Sequence, residues 1–309
     1  MSETSDSIGG ADSTGVTVLP PTSAVPERGV PAGRWTRIRR RFLRRRLAVA
    51  GLVLVVAFVL LALVVPFLSQ DPALQDFNSV LGPPSGGHFL GTDELGRDVF
   101  ARIAYGARVS LEAGVLSTAL AMVVGVPLGL VAGFYRGWLD PVIMRISDVL
   151  LSFPFLIFAV GLAAILGSSL RNVVLALGVS QVPAIVRIVR GEVLSVREQD
   201  YVAGAIADGA RDTTILGRYV LPGTYNALIV QATVAIPGAI IGEAVLSFLG
   251  LGVQPPTPSW GVMLTTAQQY LSQAPWLAVF PGVMIALATL GFNLLGDGLR
   301  DALDPRSSR

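Results

Sequence analysis

The sequence predicts an all-α integral membrane protein of six transmembrane helices, with one compact loop kept outside the bilayer and a disordered N-terminal tail. Three observations predict it. Hydrophobic residues make up 52% of the 309 positions and charged residues only 14%, where soluble domains carry about a quarter charged residues. Mean hydropathy is +0.64, and six apolar runs are each close to the roughly 20 residues that span a bilayer. The basic residues are also distributed unevenly between the connections that join those runs.

Residues 1–33 are rich in Ser, Thr, Pro and Gly and read as a disordered tail. RWTRIRRRFLRRR follows, with eight arginines between Arg34 and Arg46. Such a run in a soluble chain suggests nucleic-acid binding. Here it abuts the apolar segment Leu47–Leu68 and reads as an anchor that holds the N-terminus in the cytoplasm. The apolar run is too long for a cleavable signal peptide, and no small-x-small site follows it.

Five further spans are expected at Val109–Phe134, Val149–Leu166, Val173–Val189, Ala227–Leu249 and Leu277–Leu295. Six spans place both termini in the cytoplasm. In that arrangement 19 of the 23 basic residues, all of them arginine, lie inside, and only Arg97, Arg102, Arg108 and Arg171 lie outside. This is the bias that orients membrane proteins. Gly125, Gly129 and Gly133 recur at every fourth position of the second span, which allows a neighbouring backbone to come close. Pro127 is expected within this face as a kink, and Gly238 and Gly242 repeat the spacing behind Pro237.

In the first external loop, Thr92 or Asp93 is expected to cap a short helix carrying an Asp93–Arg97 pair, with Leu95, Val99 and Ile103 on one face. His88 stands alone, which makes a poor metal site. Trp260 and Trp276 in the last external loop are expected at headgroup level. Asp148 with Arg145, and Asp297 with Arg300, have the spacing of local helix-end pairs, and Glu112 lies one turn from Arg108. Glu243 is well inside the fifth span with no basic residue near it in sequence, so it is a candidate for the translocation path or for a hydrogen bond to another helix.

The composition removes most chemistry. Without lysine there is neither a Walker A loop nor a Schiff base. Without cysteine, and with one histidine, thiol catalysis and a Cys/His zinc site are excluded as well. No catalytic residue, resident cofactor or metal ligand is expected in this chain.

YVAGAIADGARDTTILGRYVLP, residues 201–222, lies between the fourth and fifth spans on the cytoplasmic side. Tyr201–Ala207 reads as a short helix broken at Gly209, and Thr213–Val220 as a further turn or two before Pro222 starts the next element. Ala203, Gly204, Ala205, Ala207, Gly209 and Ala210 are all small, so another protein can approach closely. Val202 and Ile206 are expected to form its apolar stripe, flanked by Tyr201. A soluble protein docking on this helix is the expected partner.

The pattern Ala203-Gly204-Ala205, Gly209, Leu221-Pro222 resembles the EAA loop of bacterial ABC-importer permeases, with Ala203 and Gly204 standing where Glu and Ala are usual. HFLGTDELGRDVFARIAYGARVSL, SFLGLGVQPPTPSWGVML and FNLLGDGLRDALDPR look like the C-type permease subunit of dipeptide, oligopeptide and nickel importers, over roughly residues 35–309. The resemblance implies the type I importer permease fold. It divides the chain into the tail and anchor 1–46, a first helix and external loop 47–107, a permease domain 108–298 and a cytoplasmic end 299–309. It implies a second homologous permease subunit, one or two ABC ATPase subunits that bind ATP and Mg, and an extracytoplasmic substrate-binding protein. The function implied is ATP-driven import of di- or oligopeptides across a bacterial inner membrane, with nickel chelates or glutathione-like peptides as alternative cargo. Readings of other classes are an ATP-independent secondary transporter, which would need inverted repeats, and a membrane scaffold.

Overall fold

A computed structural model describes residues 34–68 and 71–303. The expected disordered tail, Arg306 and Arg309 lie outside the described residues. The helices are α1 (Arg34–Arg44), α2 (Arg46–Leu68), α3 (Val99–Tyr135), α4 (Leu139–Leu151), α5 (Phe155–Leu166), α6 (Leu170–Arg197), α7 (Asp200–Ala207), α8 (Asp212–Ile215), α9 (Leu221–Phe248), α10 (Trp260–Gln269) and α11 (Trp276–Leu303). A π-helical turn, Leu216–Val220, joins α8 to α9. Among the described residues the only β pairing is the isolated bridge between Thr92 and Asp98.

Five helices are long and apolar enough to cross a membrane, and the bent pair α4 and α5 makes six if the two are counted as one broken span. Val53, Leu60, Val123, Ile157 and Ile165 are among many large apolar side chains that face outward. A soluble surface does not carry such a belt, and lipid is its natural solvent.

The expected third span, Val149–Leu166, is not one helix. α4 and α5 meet at 88°. Pro154 lacks an N–H and its ring disfavours helical backbone in the preceding residue, so the helix stops before it. At 12 residues, α5 is about 18 Å long, well short of a hydrocarbon core of about 30 Å. Asp148 pairs with Arg187 on α6 rather than with Arg145. Arg190 on α6 grips Asp140 through two bonds of 2.6 and 2.7 Å, so α4 is tied to α6 by charge.

The central seam joins α3 to α6. A Cβ added at Gly125, Gly129 or Gly133 would come within 2.7, 2.6 or 2.8 Å of Ile185, Val189 or Val193. Those contacts are closer than any side chain tolerates, so the glycine stripe is what lets the two backbones meet. Pro127 is exposed, on another side of the helix from this stripe, and α3 continues through it. Gly51, Gly291 and Gly298 serve the α2–α11 seam in the same way. Gly242 packs on Leu177, whereas a Cβ at Gly238 would meet nothing within 4 Å, so the second glycine pair is not one interface.

The spans alternate between two ends. One end gathers α1, α4, α7 and the last turns of α3, α6 and α11. It is held by Phe42 against Ala48 and Ala302, by Arg136–Glu198 at 2.6 Å and by Arg197 over the Phe134 ring. The other end carries the 71–98 loop and α10.

Candidate functional site

Residues 200–223 form a bracket at the α7 end of the bundle. α7 turns Val202 and Ala205, three residues apart, into a core shared with Ile185, Val189, Ile215 and Val220. Ala203, Gly204, Ile206 and Ala207 face outward. The expected Val202–Ile206 stripe is therefore divided: Val202 is fully buried while Ile206 is 45% exposed. On a helix Ala205 lies about 60° to one side of Val202 and Ile206 about 40° to the other, and the core beneath α7 is on the Ala205 side. Gly209 ends the element with φ +73°, a conformation that favours glycine, and neither Gly204 nor Gly209 has any atom within 4 Å of a potential Cβ.

Ala210 is half-buried against the same core, as is Leu221. The Leu221 N–H bonds back to the Leu216 carbonyl across the π turn, and Pro222 sits in the first turn of α9, where its missing N–H costs nothing. Gly223, which the sequence reading passed over, is the tight point: a Cβ there would stand 2.8 Å from Val196 Cγ1 and 2.9 Å from Tyr201 Oη. Tyr201 thus leans back over α9, and the start of α9, the end of α6 and α7 form one packed corner.

The opposite end is built on Asp93. Its Oδ1 accepts the backbone N–H groups of Leu95 and Arg97 at 3.0 and 2.9 Å. Its Oδ2 takes Arg97 Nε at 2.7 Å and Arg102 Nε at 3.2 Å. The Asp93–Arg97 pair is present, but in a turn. The separate surface helix expected there does not form, because Asp98 caps α3 by accepting the Ala101 N–H at 2.8 Å. Val99 and Ile103 are buried against Met263, Ala267 and Leu277. Gly91 and Gly96 have φ of +80° and +71°, and a Cβ at Gly96 would collide with the Asp76 carbonyl at 1.8 Å. His88 Nδ1 lies 2.9 Å from Asp98 Oδ2, and among the described residues no three His, Cys, Asp or Glu side chains converge on a metal position.

Burial pushes the Glu94 carboxyl above its ordinary value, and the neighbouring Asp93 charge adds to this. One Glu94 oxygen takes Arg97 Nη2 at 2.5 Å; the other is buried without a partner, as is Arg102 Nη1.

Trp260 does not face lipid headgroups. It is fully buried, packs edge-on to Phe58 at 5.7 Å and donates its indole N–H to the Ile103 carbonyl at 3.2 Å. Beside it, Glu243 is fully buried and accepts Ser110 Oγ of α3 at 2.8 Å and Ser247 Oγ at 2.7 Å. Its carboxylate joins α3 to α9 through the Ser110 hydroxyl.

A groove does run along α6 and α9. Its lower part, about 540 Å³, is lined by Glu192, Asn226, Gln231, Asp297 and Arg300 among others. A smaller upper part, about 210 Å³, shares Gln231 and Val234 with it and adds Gln181, Phe155 and Gly238. Gln181 and Gln231 were not singled out from sequence, although a glutamine within an apolar span is itself a signal of function or helix pairing.

A family model described as the binding-protein-dependent transport system inner membrane component matches residues 125–309, and one for the N-terminal membrane domain of oligopeptide transport permease C matches residues 33–84. The chain belongs to the first of these families. It is 42% identical to the dipeptide transport system permease protein DppC of Alkalihalophilus pseudofirmus, over 93% of this chain and 95% of that protein. It is 46% identical to the glutathione transport system permease protein GsiD of Pectobacterium atrosepticum, over 88% and 91%. A chain of the MetNI methionine ABC transporter in an inward-facing form superposes with a TM-score of 0.55 at 20% identity, covering 64% of this chain and 94% of that one. This last likeness establishes the fold, that of a type I ABC importer permease.

This permease is thus a multi-pass membrane transport subunit. The 200–223 bracket and the α6–α9 groove both lie inside the segment matched by the family model, whereas the Asp93 platform falls between the two matched segments.

Proposed function

We propose that this permease carries short peptides across a bacterial inner membrane as one half of a permease pair driven by cytoplasmic ABC ATPases. The observation that carries this reading is the 42–46% identity, over about nine-tenths of the chain, to permeases named for dipeptide and glutathione transport. Glutathione is itself a small peptide, so both names belong to one chemical class.

The bracket at 200–223 is the place where an ATPase docks. Its outward face carries small residues, Ala203, Gly204 and Ala207, beside Ile206, while Val202 and Ala205 root it in the same core as α6 and the start of α9. A push on α7 is therefore delivered to two spans at once. Such a rigid-body shift is how access to a path between paired permeases alternates. ATP and Mg belong to the partner ATPases, since the lysine-free sequence contains no phosphate-binding loop. The arginine bias puts this end, with both termini, in the cytoplasm. The Asp93 platform and α10 then face the extracytoplasmic binding protein, and the permease domain runs through residues 108–298.

The test is uptake by proteoliposomes containing the permease pair, its ATPases and its binding protein. Labelled dialanine accumulates only with ATP, and unlabelled dipeptide or glutathione competes. Uptake driven by an ion gradient without ATP would refute the reading, and competition by nickel chelates alone would move the cargo outside the peptide class.

A further inference from the structure

Gln181 and Gln231 occupy adjacent spans, and both line the upper part of the groove. Gln181 is only 8% exposed, and its amide nitrogen is buried without a hydrogen-bond partner. An unpartnered buried donor costs about 1–3 kcal/mol, and more is at stake in a membrane, where water does not replace the missing acceptor. The rest of the upper lining is apolar, and no charged side chain reaches it. Charge begins in the lower part, where Glu192, Asp297 and Arg300 stand.

A primary amide carries one acceptor and two donors in a plane, and so matches the hydrogen-bonding pattern of a peptide bond. Two such amides in an uncharged recess recognise the backbone common to all peptides and ignore their side chains. They also bind weakly, which a path must do if its cargo is to leave. Gly238 keeps this recess open, since a Cβ there would meet nothing within 4 Å.

We propose that Gln181 and Gln231 form a backbone-reading station in the path, where Gln181 Nε2 donates to a substrate peptide carbonyl and the pair accepts a substrate amide N–H. This rests on the peptide-permease reading above.

The experiment compares uptake of labelled trialanine with that of its ester analogue, in which the N–H of the middle residue is replaced by oxygen, in the full reconstituted complex. Both substrates pass the same binding protein, so the change in their uptake ratio between wild type and variants isolates the permease. Gln181→Leu combined with Gln231→Leu is expected to lower trialanine uptake about tenfold, the equivalent of one lost hydrogen bond in the transition state, and to lower the trialanine-to-ester ratio relative to wild type. Gly238→Leu, whose Cβ meets nothing within 4 Å and whose longer side chain enters the recess, is expected to lower uptake of both substrates equally.

Unchanged ratios in the double variant overturn the proposal, as does full uptake by Gly238→Leu. Failure of the double variant to co-purify with the second permease also overturns it, because the glutamines would then hold the pair together. Absence of ATP-driven uptake in the wild type would instead refute the function on which the proposal rests.

Discussion

Gly129 on α3 faces Val189 on α6 so closely that a Cβ on the glycine would lie 2.6 Å from the valine Cβ. The seam is a close-packed contact at this point, with Gly125 and Gly133 one turn to either side. Gly129→Leu is expected to destabilise the protein by about 3 kcal/mol, the upper range for overpacking a closed interface. Gly161→Leu, which adds a side chain where nothing lies within 4 Å, is the control. Thermal unfolding in detergent distinguishes them; equal midpoints would show that the seam can open.

Glu243 holds two hydroxyls from opposite sides of a helix seam. Replacing it with Leu strands Ser110 and Ser247 in a dry interior, at a cost of about 3 kcal/mol, because each buried hydroxyl loses its acceptor. Glu243→Gln keeps an acceptor oxygen and is expected to fold and transport nearly normally. Loss of uptake in a well-folded Gln variant would place Glu243 in the translocation path.

Gly204 offers a cleaner probe of ATPase docking than Gly209. Both are exposed with open space around them, but Gly209 also needs its positive φ, so any substitution there adds backbone strain. Gly204→Trp leaves α7 seated through Val202 and Ala205 and places a bulky ring on the outward face. The variant is expected to insert and remain folded but to lose co-purification with the ATPase and at least 90% of ATP-driven uptake (roughly a 1.4 kcal/mol effect or more). Retention of both would remove α7 from the docking surface. Gly209→Trp is expected to abolish coupling too, with an added loss of local stability.

The Asp93 platform is expected to respond to acid. Glu94 has a raised carboxyl pKa in the folded loop because it is buried. Between the ordinary value of 4.5 and the raised one, the folded loop holds more proton than the unfolded loop, so stability falls as pH rises through that window and grows as pH falls. Protease resistance of the 71–98 loop is expected to increase as the medium is acidified from about pH 7 towards that ordinary value, and Glu94→Gln to abolish the dependence. The opposite trend in the wild type would contradict the assigned burial.

The loop was legible in sequence because its signals are local. Small residues, a helix-breaking glycine and a terminal Leu-Pro each act through the backbone of their own segment. The orientation of α7 was not legible: Val202 and Ile206 look equivalent until the seat beneath α7 admits Ala205 instead. Trp260 was misplaced for a similar reason. Its chemistry suits an interface, but its indole N–H finds Ile103, 157 positions away. The break before Pro154 was within reach, since the proline signal is local, yet uniform apolarity on both sides concealed it.

What the sequence determined by itself is five of the apolar spanning helices and which end of them carries the positive charge. Both depend on each residue's own preference for lipid or water, summed over a window. The tertiary structure decided which faces meet. Asp148 found Arg187, Glu243 found a serine 133 positions away, and two unremarked glutamines came to line one recess. In lipid an apolar face can be satisfied by lipid or by a neighbouring helix, so hydropathy does not distinguish them. Close packing and the need to pair every buried polar group make that choice, and both exist only once the helices have assembled.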